Sequence, residues 1–378
     1  MYRWNMNNIN NMYLYYHKRM IEEKNPVLKR KYQEVIDSLF EIIDFYEINL
    51  NKKRKAVIID DCEDFSYRDV INDDFRTLHD YGIYAPIIRD FNEQFKSIFI
   101  KQPSELSKIK ISENNIVTLS TLFYQQLNEP FRDTYAHLAE HFKSRLAFRL
   151  LPKDLECAGN AHIVRHTKVV YIDVGIENTF QDYISLVHEA SHAITELLNP
   201  DIIWDFNKYC FTEVDSLFFE IVGGDFIGDK TNNKKDDLIV KQRIFYDYLE
   251  CASIICAKMD LYSCLSKKEL RNNKLIKRYY KEEFGLKKKK IEEISLTYIH
   301  EIWHYIISYL TAIELYYIYL NDKDEALSLL YKIILLKGLK TQEYLDKIKE
   351  LGIEPGKNIT NYYNLIFKNM GERNGKKL

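Results

Sequence analysis

Glycine and proline are scarce in this chain, 12 and 7 among 378 residues, which argues against a loop-rich all-β fold and favours long helices. An excess of charge of one sign is missing too. Lys and Arg number 54 against 56 Asp and Glu, a formal net charge of −2, so no global field draws in nucleic acid or an anionic membrane. The local run Lys287–Lys290 reads as solvated chain. The six cysteines (62, 157, 210, 251, 256, 264) form no C-x-x-C pair, which excludes a regular disulfide framework and fits free thiols in a reducing compartment. The N-terminal MYRWNMNNINNMYLYYHKRM lacks the apolar core of a secretory signal. Long hydrophobic runs are absent as well: the most apolar stretch, 302–320, contains His304 and Glu314 and adjoins His300 and Glu301, which a bilayer would penalise. A cytoplasmic globular protein without nucleic-acid or membrane partners is expected.

Hydrophobic residues make up 46% of the chain and charged residues 29%, enough apolar material for a substantial core. Residues 10–50 carry helical periodicity broken at Asn25-Pro26, a helical hairpin in outline. The run AVIID at 56–60 precedes Asp61, Glu63 and Asp64; it lacks the phosphate loop that a magnesium site would want, so it reads as a helix start capped by acids. Residues 67–100 read as helix, and the polar stretch 101–115 as a boundary. An N-terminal helical region, 1–112, and a second region, 113–378, are therefore expected.

Within the second region a long amphipathic helix is expected over 116–151. Lys168–Val174 is short, β-branched and flanked by turn residues, the clearest strand in the chain. Helical periodicity resumes near Asn178 and stops at Asn199-Pro200. Further helices are expected at 207–222, ended by Gly223-Gly224, and at 236–263, 291–320 and 323–350. The fold class is mainly α, with a small β-sheet just before the helix that carries the next motif.

That motif is His188-Glu189-Ala190-Ser191-His192. Residues four apart lie on one helix face about a turn apart, so both imidazoles can reach one Zn²⁺ at about 2.0–2.1 Å. Glu189 then stands beside the remaining coordination position, where it can take a proton from water and return it to a leaving amine. The His pair alone decides nothing, because 137/141, 162/166 and 300/304 share its spacing. Three features favour 188/192. Its helix is strongly apolar, so buried histidines there need a partner. A strand leads into it and offers an edge for a substrate backbone. Glu213, on the following expected helix, supplies a third ligand, and two His plus one Glu leave a position open as catalytic zinc sites do. Glu220 is the reserve ligand or a partner of one. The internal rival is His137-Leu138-Ala139-Glu140-His141, an inverted H-x-x-E-H on a less apolar helix.

These segments are similar to a known family. Tyr171–Val174 followed by Tyr183–Ala193 resembles the strand and zinc helix of the thimet oligopeptidase and oligoendopeptidase F family. Glu213–Glu220 resembles its second zinc helix, Tyr305–Ala312 its later tyrosine-bearing helix, and Leu336–Gly338 through Leu351–Ile353 its helical ending. The likeness spans roughly residues 150–366. It implies a mostly helical gluzincin fold, a deep cleft and short peptide substrates. Ser191 stands where Gly is usual, and Asp215 where Pro or a small residue is common. The spacer to Glu213 is a few residues short, and the chain itself is much shorter than typical members.

The resemblance also implies a His and one or two Tyr that stabilise a tetrahedral oxyanion opposite Glu189. Tyr309 is the leading candidate, then His300 and Tyr305. On one unbroken helix His300 and His304 share a face, Tyr305 and Tyr309 share another, and about 140–180° separates them at about 100° per residue. Both faces serve only if the helix starts between them.

The function expected is a zinc-dependent metallopeptidase acting on short peptides laid antiparallel to the 168–174 strand: His188, His192 and Glu213 as ligands, Glu189 as base. Two alternatives remain: an exopeptidase in which Arg165 or Lys168 clamps a peptide carboxylate, and a non-catalytic helical peptide-binding protein. An intact Glu189 argues against the latter.

Overall fold

The computed structural model describes residues 82–95, 111–142, 148–152, 159–164, 169–176, 178–199, 213–231, 234–265, 269–284, 299–336 and 341–368, with isolated positions elsewhere. The hairpin expected at 10–50, the 56–64 segment, Lys287–Lys290, Arg165 and Lys168 lie outside them, apart from single positions within 10–50.

Helix α1 (82–95) places Tyr84, Ile88, Phe91 and Phe95 in the same core as the rest of the described chain. The Tyr84 hydroxyl donates to the Thr341 carbonyl at 2.8 Å, and its ring stacks on Trp303. Between 116 and 151 the expected single helix is two helices and a strand. Helices α2 (Glu113–Gln125) and α3 (Phe131–Phe142) are parted at Asn128-Glu129-Pro130. Proline lacks an N–H and disfavours helix in the residue before it, so the periodicity on both sides belongs to separate elements. Residues 148–152 form a strand.

Strands β1 (Phe148–Pro152), β2 (Gly159–Val164) and β3 (Val169–Ile176) make a sheet in the order β1-β3-β2. β1 runs parallel to β3, with Phe148 opposite Ile172, and β2 runs antiparallel, with Gly159 opposite Val174. β3 is thus the middle strand. Its edges are paired with β2 over Val169–Val174 and with β1 over Ile172–Ile176, so the expectation that a substrate pairs along residues 168–174 is corrected over Ile172–Val174, where both edges are taken; the outer edges belong to β1 and β2.

Helix α4 (Phe180–Leu198) follows β3, and ahead of it Asn178 takes φ 61°. At its start the Thr179 N–H and hydroxyl both donate to the Asp182 carboxylate, at 2.8 and 3.0 Å, so that an acid stands in the first turn where the helix dipole favours it. Tyr183, Ile184, Leu186, Val187, Ala190, Ala193 and Ile194 are buried. The carbonyl of Val187 accepts from the Tyr124 hydroxyl of α2 at 2.7 Å.

Helix α5 (Val214–Lys230) packs on α4 and runs straight through Gly223-Gly224, which the sequence reading took as its end. These glycines permit close approach instead. A Cβ on Gly223 would lie 3.3 Å from the Val187 side chain, and one on Gly224 would overlap Asp237 Oδ1 of helix α6 (Lys234–Cys264). Helix α7 (Asn273–Phe284) follows α6, and α8 (Ile299–Asn321) packs against both α5 and α6. The last expected helix is divided into α9 (Lys323–Leu335) and α10 (Thr341–Glu350), followed by a short α11 (Ile359–Tyr363). No helix among the described residues is long and apolar enough to cross a membrane.

Candidate metal centre

The i,i+4 spacing on α4 aims two imidazoles at one point: His188 Nε2 and His192 Nε2 are 3.0 Å apart. Glu213 is the residue from which α5 begins, and its Oε2 lies 3.3 Å from each of those nitrogens. Four ligands at 2.0–2.1 Å from a tetrahedral ion sit about 3.3–3.4 Å from one another. Two edges of the triangle, at 3.3 Å, therefore match a zinc ligand set and the third, at 3.0 Å, is slightly shorter; among the described residues this is the one group of that kind.

The donor chemistry fits as well as the distances. Two ring nitrogens 3.0 Å apart cannot both carry a proton directed at the other, whereas a shared cation satisfies both lone pairs and the carboxylate together. Burial alone would depress the pKa of His188, but hydrogen bonds and attraction from Glu213 and Glu220 outweigh it and hold the ring well above its usual value. Burial likewise acts to raise Glu213, and the two imidazoles prevail, holding it well below the carboxylate range. The site is built around positive charge.

Neighbouring groups fix the ligands. Glu220 Oε1 lies 2.6 Å from His188 Nδ1, so the imidazole donates there and turns Nε2 toward the triangle; Glu220 supports a ligand rather than serving as one. The Ser216 hydroxyl lies 2.9 Å from Glu213 Oε2 and 3.0 Å from the Glu213 carbonyl oxygen. Ser191 donates to Asp215 Oδ2 at 2.9 Å, and Thr195 donates to the same oxygen, so α4 and α5 are joined immediately behind the ligands. The sequence carried a signal of this link, since Ser191 and Asp215 both depart from the pattern it otherwise resembles.

Glu189 is 8% exposed. Burial raises its pKa, the two histidines oppose that, and Glu213 and Glu220 add to it. The structure thus brings together His188, Glu189, His192 and Glu213. Among the described side chains, Tyr305 and Tyr309 are placed differently from one another. Helix α8 starts at Ile299, ahead of both pairs, so the condition for using both faces is not met: His300 sits about 180° from Tyr309 around one continuous helix. The His300 side chain lies outside the described residues. Tyr305 is 37% exposed, with the His304 ring at 4.4 Å. Tyr309 is fully buried, its hydroxyl sealed from solvent and its ring edge-on to Tyr362. A hydroxyl so enclosed has no path to a substrate, which corrects the leading place given to Tyr309. In the rival motif His137 is exposed on α3, and the side chains of Glu140 and His141 lie outside the described residues.

Tyr248 of α6, which the sequence reading did not single out, stacks on Tyr309 with centroids 4.4 Å apart and planes 14° from parallel. Burial raises its pKa well above the usual value, and the charges of Glu220 and Glu213 add to the shift. Nothing in a chain with 29 tyrosines marked this one.

No family model and no curated protein sequence matches the chain. Solved structures do. One assigned as oligoendopeptidase F from Bacillus anthracis str. Ames superposes with a TM-score of 0.52 at 13% identity, covering 92% of this chain and 65% of that one. PZ peptidase A with an inhibitor gives 0.52 at 13% identity, over 92% and 69% of the two chains. A structure assigned as a peptidase from Chlamydophila abortus gives 0.54 at 15%, over 78% and 55%. The chain therefore shares the fold of these structures and is itself mainly helical, spanning between 55% and 69% of their length.

Proposed function

We propose that this chain is a zinc-dependent oligopeptidase that hydrolyses bonds within short peptides. The observation that carries the reading is the triangle of His188 Nε2, His192 Nε2 and Glu213 Oε2, with edges of 3.0 and 3.3 Å, beside the buried carboxyl of Glu189. Two imidazoles and one carboxylate leave a coordination position for water or substrate, as catalytic zinc sites do. The fold likeness supports it, because structures sharing the fold are described as peptidases.

Zinc bound there would supply Lewis acidity, polarising a carbonyl and acidifying a water. The remaining work falls to the chain. Glu189 takes the proton of the attacking water and delivers it to the leaving nitrogen. Glu220 keeps His188 in the tautomer that leaves Nε2 available. Tyr305 is the tyrosine of α8 exposed enough to meet a developing oxyanion. An extended peptide would add to an outer strand, β1 or β2.

The test is zinc content together with cleavage of a diverse library of internally quenched peptides. Stoichiometric zinc with no cleavage would overturn the reading in favour of a peptide-binding protein. Equal rates on end-blocked and free-ended peptides separate an endopeptidase from the exopeptidase alternative.

A further inference from the structure

Two ligands of the candidate centre share α4, and helical pitch alone sets their separation. The third is placed differently. Glu213 stands at the start of α5, so its distance from the His pair depends on how the first turn of α5 lies against α4. Within that turn Glu213 is well held: its carbonyl accepts from the Leu217 amide at 3.0 Å, and the Ser216 hydroxyl lies 2.9 Å from its carboxylate. Asp215 ties the turn to α4, its Oδ2 accepting from Ser191 at 2.9 Å and from Thr195. Ser191 adjoins His192, and Asp215 is next but one to Glu213. All three linking residues are buried, so water does not compete for these bonds. Two further hydrogen bonds between the helices, from His188 to Glu220 and from Tyr183 to the Gly223 carbonyl, meet α5 about 10 and 15 Å along its axis from Glu213.

We propose that Ser191, Thr195 and Asp215 are positioning residues for the metal: their link sets the spacing of α4 and α5 at which Glu213 closes the ligand set, and so sets how tightly the ion is held. This rests on the zinc reading above. The three act through Glu213 and touch neither ion nor substrate. Ligands must converge to within about 0.5 Å, and groups behind them supply that precision. Two donors one helical turn apart on α4 meet a single oxygen, so the carboxylate is held along the helix as well as across the gap. Ser191 and Asp215 both depart from the pattern of the family the sequence resembles, so the link is this chain's own. Glycine at 191 would carry no hydroxyl to give, and a small residue at 215 no carboxylate to receive it.

The experiment measures zinc affinity by competition with a chromophoric chelator, and the visible absorption of the cobalt(II)-loaded protein. It compares wild type, the double variant Ser191→Ala/Thr195→Val, Thr195→Ser and Gly224→Ala. The double variant removes both donors and leaves every ligand in place. Its zinc affinity should fall at least about tenfold, and its cobalt bands should shift. Thr195→Ser keeps a hydroxyl and should stay within about threefold of wild type. Gly224→Ala strains the contact of α5 with α6, away from the ligands, and should keep wild-type affinity and bands. That contrast separates placement of a ligand from a general loss of stability. If the double variant does not fold, Ser191→Ala alone decides, with a loss of at least about threefold expected. Wild-type affinity and unshifted bands without the donors overturn the inference, as does an equal loss in Gly224→Ala, and either leaves the zinc reading standing. A wild type that takes up no zinc overturns both.

Discussion

The Ser191 hydroxyl donates to the Asp215 carboxylate at 2.9 Å, joining the helix of the two histidines to the helix of the third candidate ligand. Both positions are unusual by comparison with the family the sequence resembles, and they are unusual together. Asp215 is fully buried in the first turn of α5, and Ser191 and Thr195 both donate to its carboxylate. Asp215→Ala should strip two donors of their acceptor and cost about 2–4 kcal/mol, whereas Ser191→Gly should cost about 1 kcal/mol. Denaturant unfolding of the two single variants and the double variant checks this. Additive losses would show that the bond is incidental.

Glu189→Gln should retain stoichiometric zinc, since no ligand is altered, and should lose about 10²–10⁴-fold in kcat. His188→Ala should lose the metal and the activity together. Zinc analysis beside peptide hydrolysis distinguishes them, and an active Glu189→Gln would remove the general base from the mechanism.

Glu220→Gln should weaken zinc binding by about 10–100-fold without touching the triangle, because it loosens the hold on His188 Nδ1. Competition with a chromophoric chelator measures it. Unchanged affinity would mean that α4 alone orients the ring.

Gly224→Ala offers a test of sign. Helix propensity alone predicts a gain of about 1 kcal/mol, but the added methyl meets Asp237 Oδ1, and such overpacking costs about 1–3 kcal/mol. A lower melting temperature is expected. A higher one would mean that α5 and α6 can separate there at no cost.

Asp237 carries a pH signature. Burial raises its pKa from 3.8 to about 6, against the attraction of Lys241, whose ammonium is 3.0 Å away. Between pH 4 and 6 the folded chain therefore holds more protons than the unfolded chain, so this group makes stability fall as pH rises through that window. Burial would lower Lys241, but Asp225 and Asp237 outweigh it and raise it from an already much higher value, so it contributes no slope there. Asp237→Asn should remove this part of the slope in a series of melting temperatures from pH 4 to 6; an unaltered slope would assign it to other groups.

How much of this was legible beforehand depends on the distance over which each feature is encoded. The metal triangle was legible because His188 and His192 are fixed by helical pitch alone, and Glu213 needed only that α4 and α5 pack side by side. The β-branched run from Val169 marked a strand, but not its place in the sheet. The pairing partners, Phe148–Pro152 and Gly159–Val164, lack such a run, so β3 gave no sign of being the middle strand. Gly223-Gly224 read as a stop because propensity is local, while the Val187 and Asp237 side chains that need the space come from other helices. Tyr248 finds its stacking partner in Tyr309, a residue far along the chain.

Glu213 is both a candidate ligand and the residue whose carbonyl receives the Leu217 amide, the opening bond of α5. Chelation would thus free a carboxylate and slacken the first coil of a rod in one stroke. Deuterium uptake at amides 214–217 would then act as a gauge of metal occupancy, readable even on a sample that turns over no peptide at all.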